Sequence, residues 1–210
     1  MPIKIRRSWI FTCLLVLVLS GVAWSGGALQ KVRWVNDGDT IVLSNGARVR
    51  YIGIDAPETA HDNRPAERYG PEARTFNRKL VLGERVRLEL DAEHRDQYGR
   101  ILAYIFLEDG TFVNEALLKR GFAHYVFKAP NTRYDQRLLI AQREAMAKRA
   151  GLWKRFQNKP GPYIGNTRSK RFHRPTCPFG KQTSPRNVTS LKDRYSAFWA
   201  GYSPCAKCQP

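Results

Sequence analysis

The chain has 210 residues, of which 42% are hydrophobic and 26% charged, so it has room for one ordinary domain and a small addition but not for two full cores. This composition excludes a largely disordered chain. Its 36 Lys and Arg outnumber 18 Asp and Glu and leave a net charge of +18. Such a charge favours a polyanionic partner, nucleic acid before an anionic membrane.

The first 28 residues have the pattern of a targeting segment. Three basic residues precede an apolar run over residues 9–19, and small residues follow it. A membrane-spanning helix needs roughly 20 apolar residues, so the shorter run predicts a signal peptide over residues 1–28. If the run is extended to residue 24, an uncleaved membrane anchor over residues 9–24 is the alternative. We therefore expect an exported protein, periplasmic or extracellular, that is anchored in the membrane in the alternative case.

Short β-rich runs follow, and their spacing predicts the fold. Runs over residues 41–43 and 48–54 flank an Asn-Gly pair, which is the strongest short hairpin signal. Apolar periodicity and glycine stops predict the remaining elements: a helix over 69–82, strands over 85–90 and 101–107, and helices ending at Gly121 and near Gly151. Strands with few helices between them predict a small β-barrel with helices packed outside, an α+β fold over residues 29–155, rather than a parallel sheet.

Clustered acids stand out in a chain this basic. Asp39 opens one predicted strand and Asp55 closes its hairpin partner, so we expect the two to be neighbours in space. Converging carboxylates repel each other unless a cation lies between them, and hard oxygen ligands suit calcium or magnesium. Either motif alone is explained better by a turn or a strand end. The two together predict a metal site.

Two arginines accompany these acids. Arg50 lies on the second strand of the hairpin, and Arg100 follows Asp96-Gln97-Tyr98-Gly99 at the start of another strand. A guanidinium group binds phosphate oxygens with two donors and stabilises charge that develops on phosphorus. In isolation, each arginine is explained better as a solvated surface residue, because the chain contains many arginines.

Five motifs, in the same order, resemble the staphylococcal nuclease family over residues 32–153. They are Asp37-Gly38-Asp39-Thr40, Val49-Arg50-Tyr51-Ile52-Gly53-Ile54-Asp55-Ala56-Pro57-Glu58-Thr59, Tyr69-Gly70-Pro71-Glu72-Ala73, Asp96-Gln97-Tyr98-Gly99-Arg100 and Val113-Asn114-Glu115-Ala116-Leu117. The resemblance implies an OB-fold five-stranded barrel with three helices, and an endonuclease that hydrolyses DNA and/or RNA to leave 3′-phosphate ends. The alternative is a catalytically inert nucleic-acid-binding protein on the same fold.

The resemblance also implies a role for each residue of the acidic and basic set. Asp39, Asp55 and the backbone carbonyl of Ala56, where the family has threonine, would hold a catalytic calcium ion. Glu58 would be the general base, and Arg50 and Arg100 would stabilise the charge that develops on phosphorus. All of these residues are present, which favours the enzyme over the inert alternative.

Tyr98 and Tyr125 match tyrosines that contact the nucleotide in the family, and Lys128 follows nearby, so all three are predicted to bind the substrate. Phe127 stands where the family often has a second tyrosine, which keeps a stacking face but loses a hydroxyl contact. Packing in the core or at the rim explains these aromatic residues about equally well.

The chain end differs in character. A Pro/Gly-rich stretch predicts a linker over residues 156–165, followed by a small module over residues 166–210. His173, Cys177, Cys205 and Cys208 form a His-x3-Cys…Cys-x2-Cys pattern, which predicts a structural zinc site. A disulfide from Cys177 is the alternative in an oxidising compartment, but it leaves one thiol and the histidine unexplained.

The segments 172–178 and 201–210 resemble the zinc module of Ada-type DNA methyltransferases. The first ligand of that module is a methyl-accepting cysteine, whereas this chain has His173, so the resemblance implies a structural site without repair chemistry. After residue 155 there are ten Lys and Arg and one acid, a net charge of +9, so we expect the module to aid nucleic-acid binding. We expect the protein to be a monomer.

Overall fold

The computed structural model describes residues 28–60 and 64–210. The predicted targeting segment therefore lies outside the described residues, apart from residue 28. Within these two ranges, no helix has the length and apolar character that crossing a bilayer requires.

The first unit, residues 28–155, is a barrel with helices around it, which we call the barrel unit. Its strands are β1 (Gln30–Val35), β2 (Thr40–Leu43), β3 (Arg48–Tyr51), β4 (Ile54–Asp55), β5 (Arg85–Glu89), β6 (Ile101–Leu107) and β7 (His124–Tyr125). Its helices are α1 (Gly70–Val81), α2 (Val113–Lys119) and α3 (Asp135–Ala147). Five strands close the barrel in the order β1-β2-β3-β6-β5, with only β3 and β6 parallel. The predicted OB-type barrel is confirmed.

The core of the barrel unit explains the sequence pattern. Strand β6 is apolar along its whole length, and its central residues 102–106 are buried because it faces both the barrel interior and the surrounding helices. Helix α1 buries one face, which includes Ala73 and Val81, and it ends before Gly83 as its periodicity predicts.

The predicted strand over residues 48–54 is broken in the structure. Gly53 has a φ of +77°, and a Cβ there would lie 2.5 Å from Leu138 Cδ1, so the chain turns closely against α3. Because of this turn, Ile54 and Asp55 form the separate strand β4, which pairs with β7. The prediction of one continuous strand was wrong, and the turn determines where Asp55 lies.

The second unit, residues 160–210, is a small sheet with two short helices, which we call the C-terminal module. Its elements are β8 (Pro160–Asn166), β9 (Arg171–His173), α4 (Pro178–Lys181), β10 (Val188–Asp193), α5 (Arg194–Trp199) and β11 (Ser203–Pro204). The sheet order is β10-β8-β9-β11. Strand β8 begins inside the segment 156–165 for which we predicted a linker, so the connection between the two units ends before Pro160.

The two units share a hydrophobic core. It joins Ala145, Met146 and Trp153 of the barrel unit to apolar residues of the C-terminal module, which are Tyr163, Phe172, Leu191, Ala197, Phe198 and Tyr202. The Trp153 ring packs edge-on against Phe198, with ring centroids 5.2 Å apart. The buried side chain of Gln142 accepts from the Tyr125 amide (2.7 Å) and donates to the Phe198 carbonyl (2.7 Å). The module is therefore docked on the barrel unit rather than tethered beside it.

Candidate active site and metal centre

The β2–β3 hairpin brings the first acid to the first arginine. Its register places Thr40 opposite Arg50, so Asp39, one residue earlier, lies beside the guanidinium group. Buried Asn77 on α1 holds the preceding turn, since its amide donates to the Asp37 carbonyl (3.1 Å) and accepts from the Tyr51 hydroxyl (3.0 Å). The expected convergence of strand ends is therefore reinforced by a helix.

Arg50 lies between two carboxylates. It contacts Asp39, and its Nη2 donates to Asp55 Oδ1 at 2.5 Å. The Ala56 amide donates to Asp39 Oδ2 at 2.6 Å. Burial raises the pKa of the Asp39 carboxyl well above its usual range, and Arg50 only partly opposes this. Asp39 and Asp55 are thus brought together, in a setting where more positive charge would be favourable.

Glu58 lies on the loop that follows these residues. Its side chain is exposed, its carbonyl accepts from the Glu67 amide (2.9 Å), and its own amide donates to Glu67 Oε2 (3.2 Å). Helix α1 begins against this loop, because a Cβ on Gly70 would lie 2.8 Å from the Glu58 carbonyl carbon. Glu58 does not line the neighbouring cavity. These hydrogen bonds hold the backbone of Glu58, and the residue itself is exposed.

A cavity of about 180 Å³ lies next to Arg50 and Asp55. Among the residues that the structure describes, six charged ones line it: Arg50, Arg100, Lys128, Arg171, Asp55 and Asp96. Arg100 is held by its Nε, which donates to Asp96 Oδ2 at 2.7 Å. The four cations outnumber the two carboxylates, so the cavity suits an anionic group such as phosphate.

The predicted nucleotide-contacting residues differ in accessibility. The Arg100 guanidinium carbon lies over one face of the Tyr98 ring, 5.5 Å from its centroid. Because Tyr98 is 73% exposed, the other face is accessible for stacking. Lys128 is exposed and lines the cavity.

Tyr125 departs from the prediction. It is only 4% exposed, its phenol faces the Asp135 carboxylate, and it is not part of the cavity wall. The C-terminal module packs over it, since a Cβ on Gly201 would lie 3.5 Å from its ring. A base cannot stack on this ring in the structure.

Two residues near the site, Asn114 and His124, were not assigned a role by the sequence analysis. Buried Asn114 donates to the Ile52 carbonyl (2.8 Å) and accepts from the Ile105 amide (3.0 Å), which fixes the turn before Asp55. Only a motif match marked this residue, because its partners are distant in the chain.

His124 was also missed. Its Nε2 is buried, has no hydrogen-bond partner among the described residues, and lies 3.8 Å from Asp55 Oδ2. Its ring packs edge-on against Phe198 of the C-terminal module, with centroids 5.6 Å apart. Burial lowers the pKa of His124; Asp55 opposes this, whereas Arg171 and Arg50 lower it further. No sequence signal marked a histidine between the two units.

The predicted zinc ligands are brought together. The ligand atoms of His173, Cys177, Cys205 and Cys208 all lie within 4.8 Å of one another, and His173 Nδ1 is 3.6 Å from Cys177 Sγ. A tetrahedral zinc site separates its ligand atoms by roughly 3.5–3.8 Å, so this Cys3His group could hold a metal. The three cysteines are free thiols rather than a disulfide pair.

The five-stranded OB-type barrel and the basic cavity beside paired carboxylates agree with one class of protein, the nucleases. Comparison with known proteins agrees. The family model described as staphylococcal nuclease homologue matches residues 48–155. The thermonuclease of Staphylococcus intermedius is 46% identical over 132 residues, which are 61% of this chain and 78% of that protein. The thermonuclease of Staphylococcus hyicus is 38% identical over 137 residues, 64% of this chain and 80% of the relative.

A further relative is endonuclease YncB of Bacillus subtilis (strain 168), 42% identical over 123 residues, which are 56% of this chain and 57% of that protein. The chain belongs to the staphylococcal nuclease family and is a nuclease, a hydrolase whose substrates are nucleic acids. The alternative of an inert binding protein is thereby set aside. The family match ends at residue 155 and leaves the C-terminal module outside it.

Proposed function

We propose that the protein is a calcium-dependent endonuclease that hydrolyses DNA and/or RNA to leave 3′-phosphate ends. The observation that carries this proposal is the convergence of Asp39 and Asp55 on Arg50, beside a basic cavity that Arg100 also lines. We further propose that the chain is an exported monomer with a targeting segment over residues 1–28, a catalytic domain over residues 29–155 and a zinc module at its end.

The donor set fits calcium. Asp39 and Asp55 supply hard carboxylate oxygens, and the backbone carbonyl of Ala56 would be the third protein ligand. Ala56 already lies next to Asp39, because its amide donates to Asp39 Oδ2. The raised pKa of buried Asp39 supports this assignment, because it marks a carboxylate whose ionised form lacks sufficient positive charge nearby. A bound divalent ion would supply Lewis-acid stabilisation of the phosphate and orient it.

The side chains have separable tasks in this mechanism. Glu58, exposed on its anchored loop, takes a proton from the attacking water. Arg50 and Arg100 donate to phosphate oxygens and stabilise the charge that develops on phosphorus. Attack at phosphorus with expulsion of the 5′ oxygen leaves the 3′-phosphate end. Tyr98 offers its exposed ring to a base, and Lys128 offers charge at the cavity rim.

The test is digestion of single-stranded DNA, double-stranded DNA and RNA by wild type and Glu58→Gln. We expect wild-type cleavage to require calcium, to stop when a chelator removes it, and to return when calcium but not zinc is added back. Glu58→Gln should lower kcat by about 10²–10⁴ at saturating calcium, because it removes the general base but keeps the side-chain shape.

The matched control is Glu72→Gln, an exposed glutamate in the first turn of α1 that should retain wild-type kcat. Full activity of the wild type in excess chelator would contradict calcium dependence. Wild-type kcat in Glu58→Gln would remove that residue from the mechanism.

Gly70→Ala tests whether the backbone of the Glu58 loop sets the position of the base. The new Cβ would overlap the Glu58 carbonyl group, so the loop must shift while the barrel core stays intact. We expect kcat to fall by about 10², the cost of a displacement near 1 Å, with an unchanged circular dichroism spectrum. Pro71→Ala, at the adjacent exposed position, should leave kcat unchanged, and a fully active Gly70→Ala would refute this positioning role.

We also propose that the Cys3His group binds a structural zinc ion and that the module helps to bind nucleic acid, because its net charge of +9 attracts the phosphate backbone. Zinc prefers this donor set of soft thiolates and one imidazole, and it contributes directly to folding where a module is too small for a core of its own.

A further inference from the structure

One wall of the active-site cavity comes from the C-terminal module. Arg171, the first residue of β9, lines the same cavity as Arg50 and Arg100. We propose that Arg171 binds the substrate phosphate that flanks the scissile one, so that the module forms part of the substrate site. This inference rests on the proposed function, since it concerns the same cleft.

The electrostatic setting separates Arg171 from the other arginines of the wall. Arg50 contacts two carboxylates and Arg100 is paired with Asp96. Arg171 donates its Nη1 to the Pro204 carbonyl at 3.1 Å, a neutral partner, and within the described part of the chain no carboxylate lies at ion-pair distance from it. Its charge is therefore the least compensated of the three, and an anion in the cavity gains most from it.

The position of Arg171 is fixed by the docking of the two units. The module is anchored by the shared core, by Gln142, and by Arg143, whose Nε donates to the Trp199 carbonyl at 2.8 Å. Phe172, the next residue after Arg171, is fully buried in that core. A side chain on such a strand is held in place far better than one on a flexible tail.

Strand β9 also connects Arg171 to the Cys3His group. Arg171 pairs with Ser203 of β11, and His173 lies two residues further along β9. Cys205 follows β11 directly, and its amide donates to the Phe172 carbonyl at 2.9 Å. The proposed metal ligands His173 and Cys205 thus lie at the ends of β9 and β11, the two strands that hold the Arg171 guanidinium group in the cavity wall. A bound metal would therefore help to keep Arg171 in position.

The substrate class follows from this arrangement. Arg50 and Arg100 serve the scissile phosphate, so Arg171 gains a partner only in a strand with a phosphate on the neighbouring linkage. A guanidinium group binds such a phosphate through two parallel hydrogen bonds. The enzyme should therefore prefer oligonucleotides over a dinucleoside monophosphate, which contains only the scissile linkage.

The experiment compares wild type with Arg171→Gln on two substrates, a dinucleoside monophosphate and an oligonucleotide of several linkages. Glutamine keeps a donor for the Pro204 carbonyl but removes the charge. We expect kcat/KM on the oligonucleotide to fall by about tenfold to a hundredfold, and kcat/KM on the dinucleoside monophosphate to stay within about twofold. The salt slope of oligonucleotide binding should shrink by about 0.7–0.9, the contribution of one phosphate contact.

A chemical substitution on the substrate checks the same contact. Replacing the flanking phosphate by an uncharged methylphosphonate should reproduce the loss in wild type and should cost Arg171→Gln nothing further, since interacting groups are not additive. Arg186→Ala, an exposed arginine of the module outside the cavity wall, should keep the wild-type preference.

Equal losses on the two substrates would mean that Arg171→Gln damages the fold, and unchanged kcat/KM on both would mean that Arg171 contacts no phosphate. Either outcome overturns the inference. Failure of the proposed function would be a separate result, namely a wild-type enzyme that needs no calcium. In that case the ratio of kcat/KM on the oligonucleotide to kcat/KM on the dinucleoside monophosphate can still be measured.

Discussion

Replacing Arg100 with alanine should lower kcat by about 10³–10⁵, the range for an arginine that stabilises a phosphoryl-transfer transition state. The structure supports so large an effect because the side chain is already organised. Asp96 Oδ2 holds Nε at 2.7 Å, while the amides of Tyr98 and Arg100 hold Asp96 Oδ1 at 2.9 and 3.0 Å. With Nε so occupied, the two Nη groups remain for phosphate oxygens, and little reorganisation is needed when charge develops.

The matched control for this variant is Arg95→Ala. Arg95 lies on the same loop, is exposed, and donates its Nη1 to the Gly99 carbonyl at 2.7 Å, but it does not line the cavity. Single-turnover cleavage of an oligonucleotide at saturating calcium should show the loss in Arg100→Ala and less than about tenfold in Arg95→Ala. If the two variants lose the same amount, the loop conformation rather than the Arg100 guanidinium explains the effect.

The barrel could be predicted from the sequence because its signals are local. The Asn-Gly pair between two short β-rich runs marks the hairpin, and the apolar spacing of α1 with Gly83 behind it marks the helix. The hairpin register then brings Asp39 beside Arg50, so this pair of the candidate site could be predicted from two strands that are only a few residues apart in the chain.

What could not be predicted depends on contacts between distant residues. Asn77 binds the Asp37 turn 40 residues away, and Asn114 binds the Ile52 carbonyl 62 residues away. A single sequence gives no hint of such side-chain-to-backbone bonds, yet they fix the two turns that carry the site. The break in the strand at Gly53 could not be predicted for the same reason, because it is caused by the close approach of α3, which is distant in the chain.

The residues at the boundary between the units were the hardest to foresee. Tyr125 matched a nucleotide-contacting position, but the C-terminal module packs over it and buries it. His124 and Arg171 carried no motif, and Arg171 is one of ten basic residues after residue 155. A prediction that assumes a free linker cannot anticipate that a residue of the module lines the cavity of the candidate active site.

Loss of the proposed zinc ligand in Cys205→Ser should destabilise the C-terminal module by about 5 kcal/mol or more. Zinc binding contributes about 10–16 kcal/mol to the folding of isolated zinc-finger peptides, and here the core shared with Trp153 would retain part of the structure. We expect about one zinc per chain in wild type and none in the variant, by elemental analysis. Urea unfolding at neutral pH should then have a separate early transition in the variant.

The same variant connects the module to catalysis. Because Cys205 follows β11, which carries the carbonyl partner of Arg171, its loss should lower kcat/KM on oligonucleotides and spare the dinucleoside monophosphate. Lys207→Ala, an exposed position between the two cysteines of the Cys-x2-Cys loop, should keep the zinc, the stability and both rates. A Cys205→Ser protein with no zinc but wild-type unfolding would refute a structural role for the metal. One with equal losses on both substrates would mean that the module stabilises the barrel as a whole rather than presenting Arg171 to the cleft.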